Sequence, residues 1–206
     1  AVADLDADPW LLNCPNGTVD LRTGKLRTHR REDLITQVCP VRFDEHARCP
    51  LWERMLDLVF SADPADPAAA GDAGVIGYVR RLLGYCATGS VREDCLPIFW
   101  GGGSNGKSTI VETVAQVLGD HYHTAAPTGL LTVRRGDNTT PPNELVTLFR
   151  KRLVTVAELE QGDRLNVRLV KQLTGKDAIT ARALYQDFFT FTPTHKLVVT
   201  EHGQED

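Results

Sequence analysis

Apolar residues recur with the helical repeat in two segments of the chain. The two sets are Leu51, Met55, Leu58 and Val59, and Ile76, Val79, Leu83 and Cys86. Residues at this spacing share one face of a helix, so the pattern predicts a helical segment over residues 51–89. The stretch 61–74 between the two sets is rich in Ala, Asp, Pro and Gly, which is typical of a connecting loop.

The first 50 residues follow a different pattern, in which short apolar stretches alternate with turn-forming residues. Turn signals lie at 15–17 (Pro-Asn-Gly) and 23–25 (Thr-Gly-Lys), and apolar stretches lie at 19–21 and 34–36. Such punctuation favours strands joined by tight turns, so we expect a small β-rich segment over residues 1–50. Its stretch 21–31 holds five basic residues and no acid, which suits either a solvated face or a nucleic-acid contact.

From about residue 90 the pattern alternates between strand and helix. Apolar runs at 96–100, 152–158 and 196–200 indicate strands, and apolar positions between 110 and 118 follow a helical repeat that Gly119 should stop. This alternation is typical of a parallel sheet with crossover helices. We therefore predict an α/β domain over residues 90–206, a parallel sheet with flanking helices, in which the run 96–100 is a buried strand.

Composition narrows the class of protein. The chain has 206 residues, of which 42% are hydrophobic and 24% charged, as in ordinary globular domains. No apolar run approaches the roughly 20 residues that span a bilayer, so we expect no membrane partner. The net charge of −4 argues against coating nucleic acid with the whole surface but leaves room for a local basic patch. Five cysteines without a Cys-x-x-Cys pair predict reduced thiols and a cytoplasmic protein.

The strongest chemical signal is a glycine-rich loop, residues 101–109, that follows the first predicted strand of the sheet and opens a helix. Gly101, Gly106, Lys107 and Ser108 satisfy the pattern G-x-x-x-x-G-K-[ST]. Glycines allow successive N–H groups to point at phosphate oxygens, and the helix N-terminus adds its dipole. We therefore predict that ATP and Mg²⁺ bind here. The predicted binding residues are Gly101, Gly102, Gly103, Ser104, Asn105, Gly106, Lys107, Ser108 and Thr109.

A carboxylate follows the second predicted strand of the sheet. Residues 152–158 are mainly small or apolar and end in Glu158, at the edge where ligands sit in open parallel sheets. We predict that Lys107 and Glu158 are the catalytic residues, with Ser108 and Glu158 holding Mg²⁺ and Glu158 polarising the attacking water. Glu160 is a second choice for the acid, and a surface position for Glu158 is the competing interpretation.

Basic residues lie around a predicted turn further on. A short helix over 164–173 is followed by a turn at 174–177 and by extended stretches at 178–182 and 188–191. The spacing of Lys171, Lys176 and Arg182 predicts a projecting basic hairpin that contacts DNA. Phe188 and Phe189 lie close in sequence, as core residues or as surfaces on which the bases of single-stranded nucleic acid stack.

These segments, in this order, resemble the phage- and plasmid-encoded primase–helicases of helicase superfamily 3, relatives of the poxvirus replication NTPase. The resemblance rests on residues 16–24, 49–52, 101–109, 152–158 and 171–182. It implies an AAA+-like P-loop NTPase motor that assembles as a ring, usually a hexamer. Such a motor would hydrolyse ATP at subunit interfaces and translocate on single-stranded or forked DNA. It also implies a phage, prophage or plasmid origin and work in the cytoplasm of a bacterial host.

The resemblance is incomplete in two respects. Glu201 stands where the family places an asparagine that senses the γ-phosphate, and the arginine that completes a neighbouring site is expected further downstream. The chain is therefore expected to be an incomplete C-terminal motor region, either a fragment or a degenerate copy. Two alternatives stay open. One is a small-molecule phosphoryl-transfer enzyme with residues 132–142 as a lid, and the other is a nucleotide-binding interaction module without turnover.

Overall fold

A computed structural model describes residues 4–63, 66, 70–103, 105–133, 142–157 and 164–202 of the chain. The N-terminal part forms a three-stranded antiparallel sheet in the order β1-β2-β3, with β1 at Leu11–Cys14, β2 at Gly17–Asp20 and β3 at Lys25–Arg27. Gly17 begins β2 with φ +152°, and a Cβ there would lie 2.4 Å from the Arg27 carbonyl oxygen. The predicted β-rich segment is confirmed. Its basic stretch is partly neutralised, because Arg27 pairs with Asp33 at 2.7 Å and Arg22 with Asp8 at 3.1 Å.

Two helices follow, α1 at Pro50–Val59 and α2 at Ala73–Ala87, which confirms the helical segment. The Asp72 carboxylate caps α2 by accepting from the backbone N–H groups of Gly74 and Val75. One apolar residue of the helical repeat does not lie in the core. Leu51 is 80% exposed, whereas Leu56 is fully buried, because α1 turns Leu56 rather than Leu51 toward α2 and the sheet domain.

The second sheet is parallel and has four strands, in the order β4-β9-β6-β5. These are β4 at Ile98–Gly101, β5 at His123–Ala126, β6 at Leu153–Ala157 and β9 at Lys196–His202. Helix α3 at Lys107–Tyr122 connects β4 to β5. Gly119 interrupts α3 with φ +64° rather than ending it, and the chain returns to helix as far as Tyr122. The α/β fold with a parallel sheet is confirmed, while the division into three domains stays a prediction.

Both faces of the parallel sheet are covered. On one face, Leu153 and Val198 pack against Val111, Ala115 and Leu118 of α3, and the N-terminal sheet and α2 join the same cluster. The opposite face meets the short helix α4 at Pro142–Val146, the helix α5 at Val167–Thr174 and a hairpin of β7 at Ile179–Ala181 with β8 at Phe189–Phe191. The result is a three-layer arrangement around a central sheet.

Strand β4 corrects the prediction of a buried strand at 96–100. It lies at the edge of the sheet and pairs with β9, and its side chains alternate in exposure. Phe99 packs against the helices, whereas Ile98 and Trp100 are 53% and 69% exposed. The run has apolar side chains on both faces of the strand. On the face of Ile98 and Trp100, the helices and the hairpin cover β6 and β9 but not β4, so these two side chains stay exposed.

Two buried cations join the parallel sheet to the end of α2. Arg152, just before β6, donates to the carbonyl oxygens of Ala87 and Leu11 and stacks on the Tyr122 ring. Lys196, the first residue of β9, donates to the carbonyl oxygens of Thr88, Ser90 and Thr194. Burial lowers the pKa of both groups, that of Lys196 to about 7. The last carbonyls of a helix carry its negative partial charge, so this end of α2 is a favourable place for cations.

Within the described parts of the chain, no helix combines the length and apolar character that crossing a membrane requires.

Candidate phosphate site and basic hairpin

The glycine-rich loop lies where β4 ends and α3 begins, as predicted. Gly101 has φ +152°, and Gly106, the residue before α3, has φ +78°. Side chains at these positions would collide with neighbours. A Cβ at Gly101 would lie 2.5 Å from Asn105 Nδ2, and one at Gly106 would lie 2.5 Å from Val59 Cγ2 of α1. Backbone conformation therefore favours glycine at both positions, and close packing against Val59 also requires it at Gly106.

Lys107 bends back over the loop from the first position of α3. Its Nζ donates to the carbonyl oxygens of Gly101 at 2.6 Å and Gly102 at 2.9 Å, and to Asn105 Oδ1 at 2.8 Å. The residue is only 8% exposed. The ammonium group is thus fixed among residues of the loop rather than extended into solvent.

The N-terminus of α3 supplies the remaining groups of a phosphate site. The first N–H groups of a helix have no partner within it and carry its positive partial charge. Ser108 and Thr109 lie exposed in the first turn of α3, and the Ser108 hydroxyl is an oxygen donor of the type that Mg²⁺ accepts. The N–H groups of this first turn, the Lys107 ammonium and the Ser108 hydroxyl are of the types that fit a phosphate with its metal ion. Ser104 lies outside the described residues.

The acid predicted at the end of the second strand of the sheet follows β6 directly. Strand β6 ends at Ala157, which pairs with Thr200 of β9, while Gly101 of β4 pairs with His202. The carboxyl ends of β4, β9 and β6 therefore meet at one edge of the sheet, where open parallel sheets bind ligands. Glu158 and Glu160 lie outside the described residues, so their roles stay predictions. Glu201 lies within β9 and pairs with Trp100 of β4.

The three basic residues predicted on one hairpin lie on three different elements. Asn166 caps α5 through its side chain, and the helix continues to Thr174, so Gly175 ends a helix and is not the hairpin turn. Lys171 consequently lies on α5 and Lys176 in the turn after it, where Nζ is 3.9 Å from Asp94. Arg182 alone belongs to the hairpin. Lys171 thus lies in the predicted helix, but the structure corrects the prediction that Lys171 and Lys176 belong to the hairpin.

Lys171 lines an open cleft of about 570 Å³ on the exposed side of α5. Its other lining residues are Val167, Arg168, Gln172 and Asp177. Arg168 places a second cation at this cleft, one that the prediction did not include. It was detectable in the sequence, because residues 168 and 171 are three positions apart and share a helix face.

The hairpin loop, residues 182–188 between β7 and β8, carries exposed side chains that the prediction missed. Tyr185 is 104% exposed and has φ +63°, and Leu184 is 70% exposed. The Arg182 guanidinium lies over the Phe188 ring at 4.7 Å. The two phenylalanines differ, because Phe189 packs edge-on against Phe149 at 5.3 Å and belongs to the core. The loop thus presents a cation over the exposed ring of Phe188 and a second exposed ring, that of Tyr185.

Two family models match this chain, one in its N-terminal part and one in its C-terminal part. Residues 1–61 match a family model described as D5 N terminal like. Residues 99–203, about half of the chain, match the model of a family of unknown function (DUF5906). A protein of Acanthamoeba polyphaga mimivirus named as a helicase is 29% identical over 196 residues, which cover 94% of this chain and 19% of that protein. A protein of African swine fever virus named as a primase is 28% identical over 206 residues, covering 98% of this chain and 20% of its own length.

The chain thus spans about one fifth of the length of these relatives. Among solved structures, the C-terminal region of NrS-1 aligns with a TM-score of 0.54 and 14% identity, over 82% of this chain and 36% of that one. At this identity the likeness concerns the fold. The names of these relatives, a helicase and a primase of large DNA viruses, agree with the broader part of the resemblance seen in the sequence.

Proposed function

The chain belongs to the family of unknown function DUF5906, and because that membership specifies no reaction, we propose one from the geometry of its loop. The proposed function is that of the nucleotide-binding part of an ATP-dependent DNA helicase or translocase in a replication primase–helicase. Its core would be a P-loop NTPase of the AAA+-like class. The names of the viral relatives support the replication context.

One observation carries the proposal. The loop between β4 and α3 has two glycines in conformations that side chains disfavour, and it folds around a buried lysine ammonium at the N-terminus of a 16-residue helix. Backbone N–H groups and a lysine cation at a helix start are the groups that bind nucleotide phosphates.

Each residue of the site would have its own role in binding and hydrolysing ATP. Lys107 would neutralise charge on the β- and γ-phosphates, and the backbone of residues 101–106 would orient the phosphates. Ser108, with Glu158, would hold Mg²⁺, which when bound neutralises charge on the phosphate oxygens. Glu158 would also accept a hydrogen bond from the attacking water. Glu201, in the strand between β4 and β6, adds negative charge near this edge and is expected to slow turnover.

Lys171, Lys176 and Arg182 would contact DNA, together with the newly identified Arg168 and the aromatic rings of the hairpin loop. Cations placed beside exposed rings suit the backbone and bases of a single strand. Assembly into a ring, with six subunits as the usual number in the resembled family, is part of the same proposal.

The test is ATP binding by calorimetry, followed by ATP turnover with and without single-stranded DNA. Lys107→Ala should weaken ATP·Mg²⁺ binding by about tenfold or more, because a charge-assisted contact is lost. Lys25→Ala, at an exposed position of β3, is the matched control and should bind like the parent chain. DNA-stimulated turnover supports a translocase. Binding without turnover would favour an interaction module, and transfer of phosphate to a small acceptor would favour the phosphoryl-transfer alternative.

A further inference from the structure

Asn105 occupies an unusual place in the glycine-rich loop, because its side chain contacts the lysine that the proposed function assigns to phosphate. Its Oδ1 accepts from Lys107 Nζ at 2.8 Å. The orientation of the amide is fixed by chemistry, since an ammonium group only donates and must therefore face the oxygen. The amide nitrogen points the other way, toward Gly101, where a Cβ would lie 2.5 Å from Nδ2. Gly101 thus makes room for the Asn105 amide.

The donors of Lys107 are fully used by this arrangement. An ammonium group has three N–H donors, and the three acceptors are the carbonyl oxygens of Gly101 and Gly102 and Oδ1 of Asn105. A phosphate oxygen can receive a hydrogen bond from Lys107 only if one of the three is given up. The Gly101 carbonyl belongs to a paired strand, and Gly102 continues that backbone. Asn105 contributes a side-chain acceptor, which can rotate away without moving the main chain.

We propose that Asn105 is a positioning residue that competes with the nucleotide phosphates for the Lys107 ammonium, and that nucleotide binding exchanges the Lys107–Asn105 hydrogen bond for a bond to phosphate. This inference rests on the proposed function. It adds that affinity for nucleotide is set partly by an intramolecular competitor. It also explains why Gly101 lacks a side chain, since a larger residue would displace the amide from Lys107.

The test is a double-mutant cycle read by ATP binding. Asn105→Ala removes the competitor and should raise the affinity for ATP·Mg²⁺ by about three- to tenfold, the range of a net hydrogen bond. Gln116→Ala, an exposed amide further along α3, should leave the affinity unchanged. In a Lys107→Met background, Asn105→Ala should give no gain, because Met has no donor for which Asn105 competes. A general loosening of the loop would act in both backgrounds.

A second measurement requires no nucleotide. The melting temperature of the chain should fall with Asn105→Ala when Lys107 is present and stay constant when position 107 is Met. Equal or weaker ATP binding by Asn105→Ala, in a chain that does bind ATP, would overturn the competition and leave the proposed function intact. If neither the parent nor the variant binds ATP, the proposed function fails and the competition fails with it. Binding by Asn105→Ala alone would support both.

Discussion

The guanidinium of Arg152 donates to the carbonyl oxygen of Ala87 across 65 positions of sequence, at a distance of 2.7 Å. This bond connects the start of β6 to the last residue of α2. The same side chain donates to Leu11 of β1 and lies over the Tyr122 ring at 4.5 Å. Arg152 therefore contacts the N-terminal sheet, α2, α3 and the parallel sheet at once.

Replacing Arg152 should destabilise the whole chain. Arg152→Met keeps much of the apolar stem but leaves the carbonyls of Ala87 and Leu11 without their donor, so we expect a loss of about 2–4 kcal/mol in unfolding free energy. Urea denaturation measures it. Arg22→Met is the control, since Arg22 forms an exposed pair with Asp8 and should cost less than about 1 kcal/mol. Similar losses in the two variants would show that the buried contacts add little.

DNA binding should depend more on Arg182 than on Lys176. Arg182 lies at the hairpin loop over Phe188, whereas Lys176 lies 3.9 Å from the Asp94 carboxylate, which offsets part of its charge. Each lost phosphate contact to a single strand should flatten the dependence of log affinity on log salt by about 0.7. Salt titrations with Arg182→Ala, Lys176→Ala and the control Arg80→Ala, at an exposed position of α2, provide the comparison. If the plot of log affinity against log salt concentration is the same for Arg182→Ala and the parent chain, Arg182 does not contact a phosphate.

Tyr185 should matter for single-stranded DNA and not for folding. Its side chain is fully exposed with a left-handed backbone, so Tyr185→Gly removes an aromatic ring without disturbing packing. We expect a loss of about 1–3 kcal/mol in single-strand affinity, the range for base–aromatic stacking, and a change below about 1 kcal/mol in stability. Fluorescence anisotropy and urea denaturation measure the two quantities. Unchanged affinity for the variant would mean that no base stacks on this ring.

Acid should destabilise the fold through His195. Its imidazole is 1% exposed, and neither ring nitrogen makes a hydrogen bond of standard geometry among the described residues. Burial and the neighbouring Lys196 lower its pKa from 6.5 to about 4. The unfolded chain takes up this proton before the folded chain does, so the stabilisation is present above pH 6.5. This contribution to the unfolding free energy, about 3 kcal/mol in total, is lost as the pH falls from 6.5 toward 4.

The measurement is urea denaturation at pH 7 and pH 4.5. His195→Leu should lose less stability between these two values than the parent, because Leu has no proton to gain. His46→Leu, at an exposed position, should behave like the parent. If the parent and His195→Leu lose equal stability on acidification, another group governs the acid transition.

Local patterns were sufficient to predict the helices α1, α2, α3 and α5, the strand β6 and the glycine-rich loop. Each depends on residues close in sequence, such as the glycines before Lys107 and the apolar run that ends at Ala157. The exposure of Trp100 was not predictable in this way. It follows from the insertion of β9 between β4 and β6, a pairing between distant segments that leaves β4 at the edge.

The basic residues show the same limit. The sequence identifies Lys171 as helical and Lys176 and Arg182 as cations near a turn, but it does not show that the hairpin turn lies at 182–188 rather than at Gly175. Arg152 precedes β6 and Lys196 begins β9, and both look like ordinary surface cations in the sequence. They are buried because they contact the end of α2, and the sequence pattern does not predict where α2 lies relative to the sheet.

The order of strands also has a consequence for synthesis on the ribosome. Strand β4 and the loop after it are made before β9, which is the partner of β4 in the described structure and the last of the four parallel strands to be made. Until residues 196–202 emerge, Ile98–Gly101 has no β9 backbone to pair with, and the loop has no fixed strand behind it. A nascent or prematurely terminated chain that lacks β9 should therefore not form the complete phosphate site. The site can form only after translation has passed residue 202.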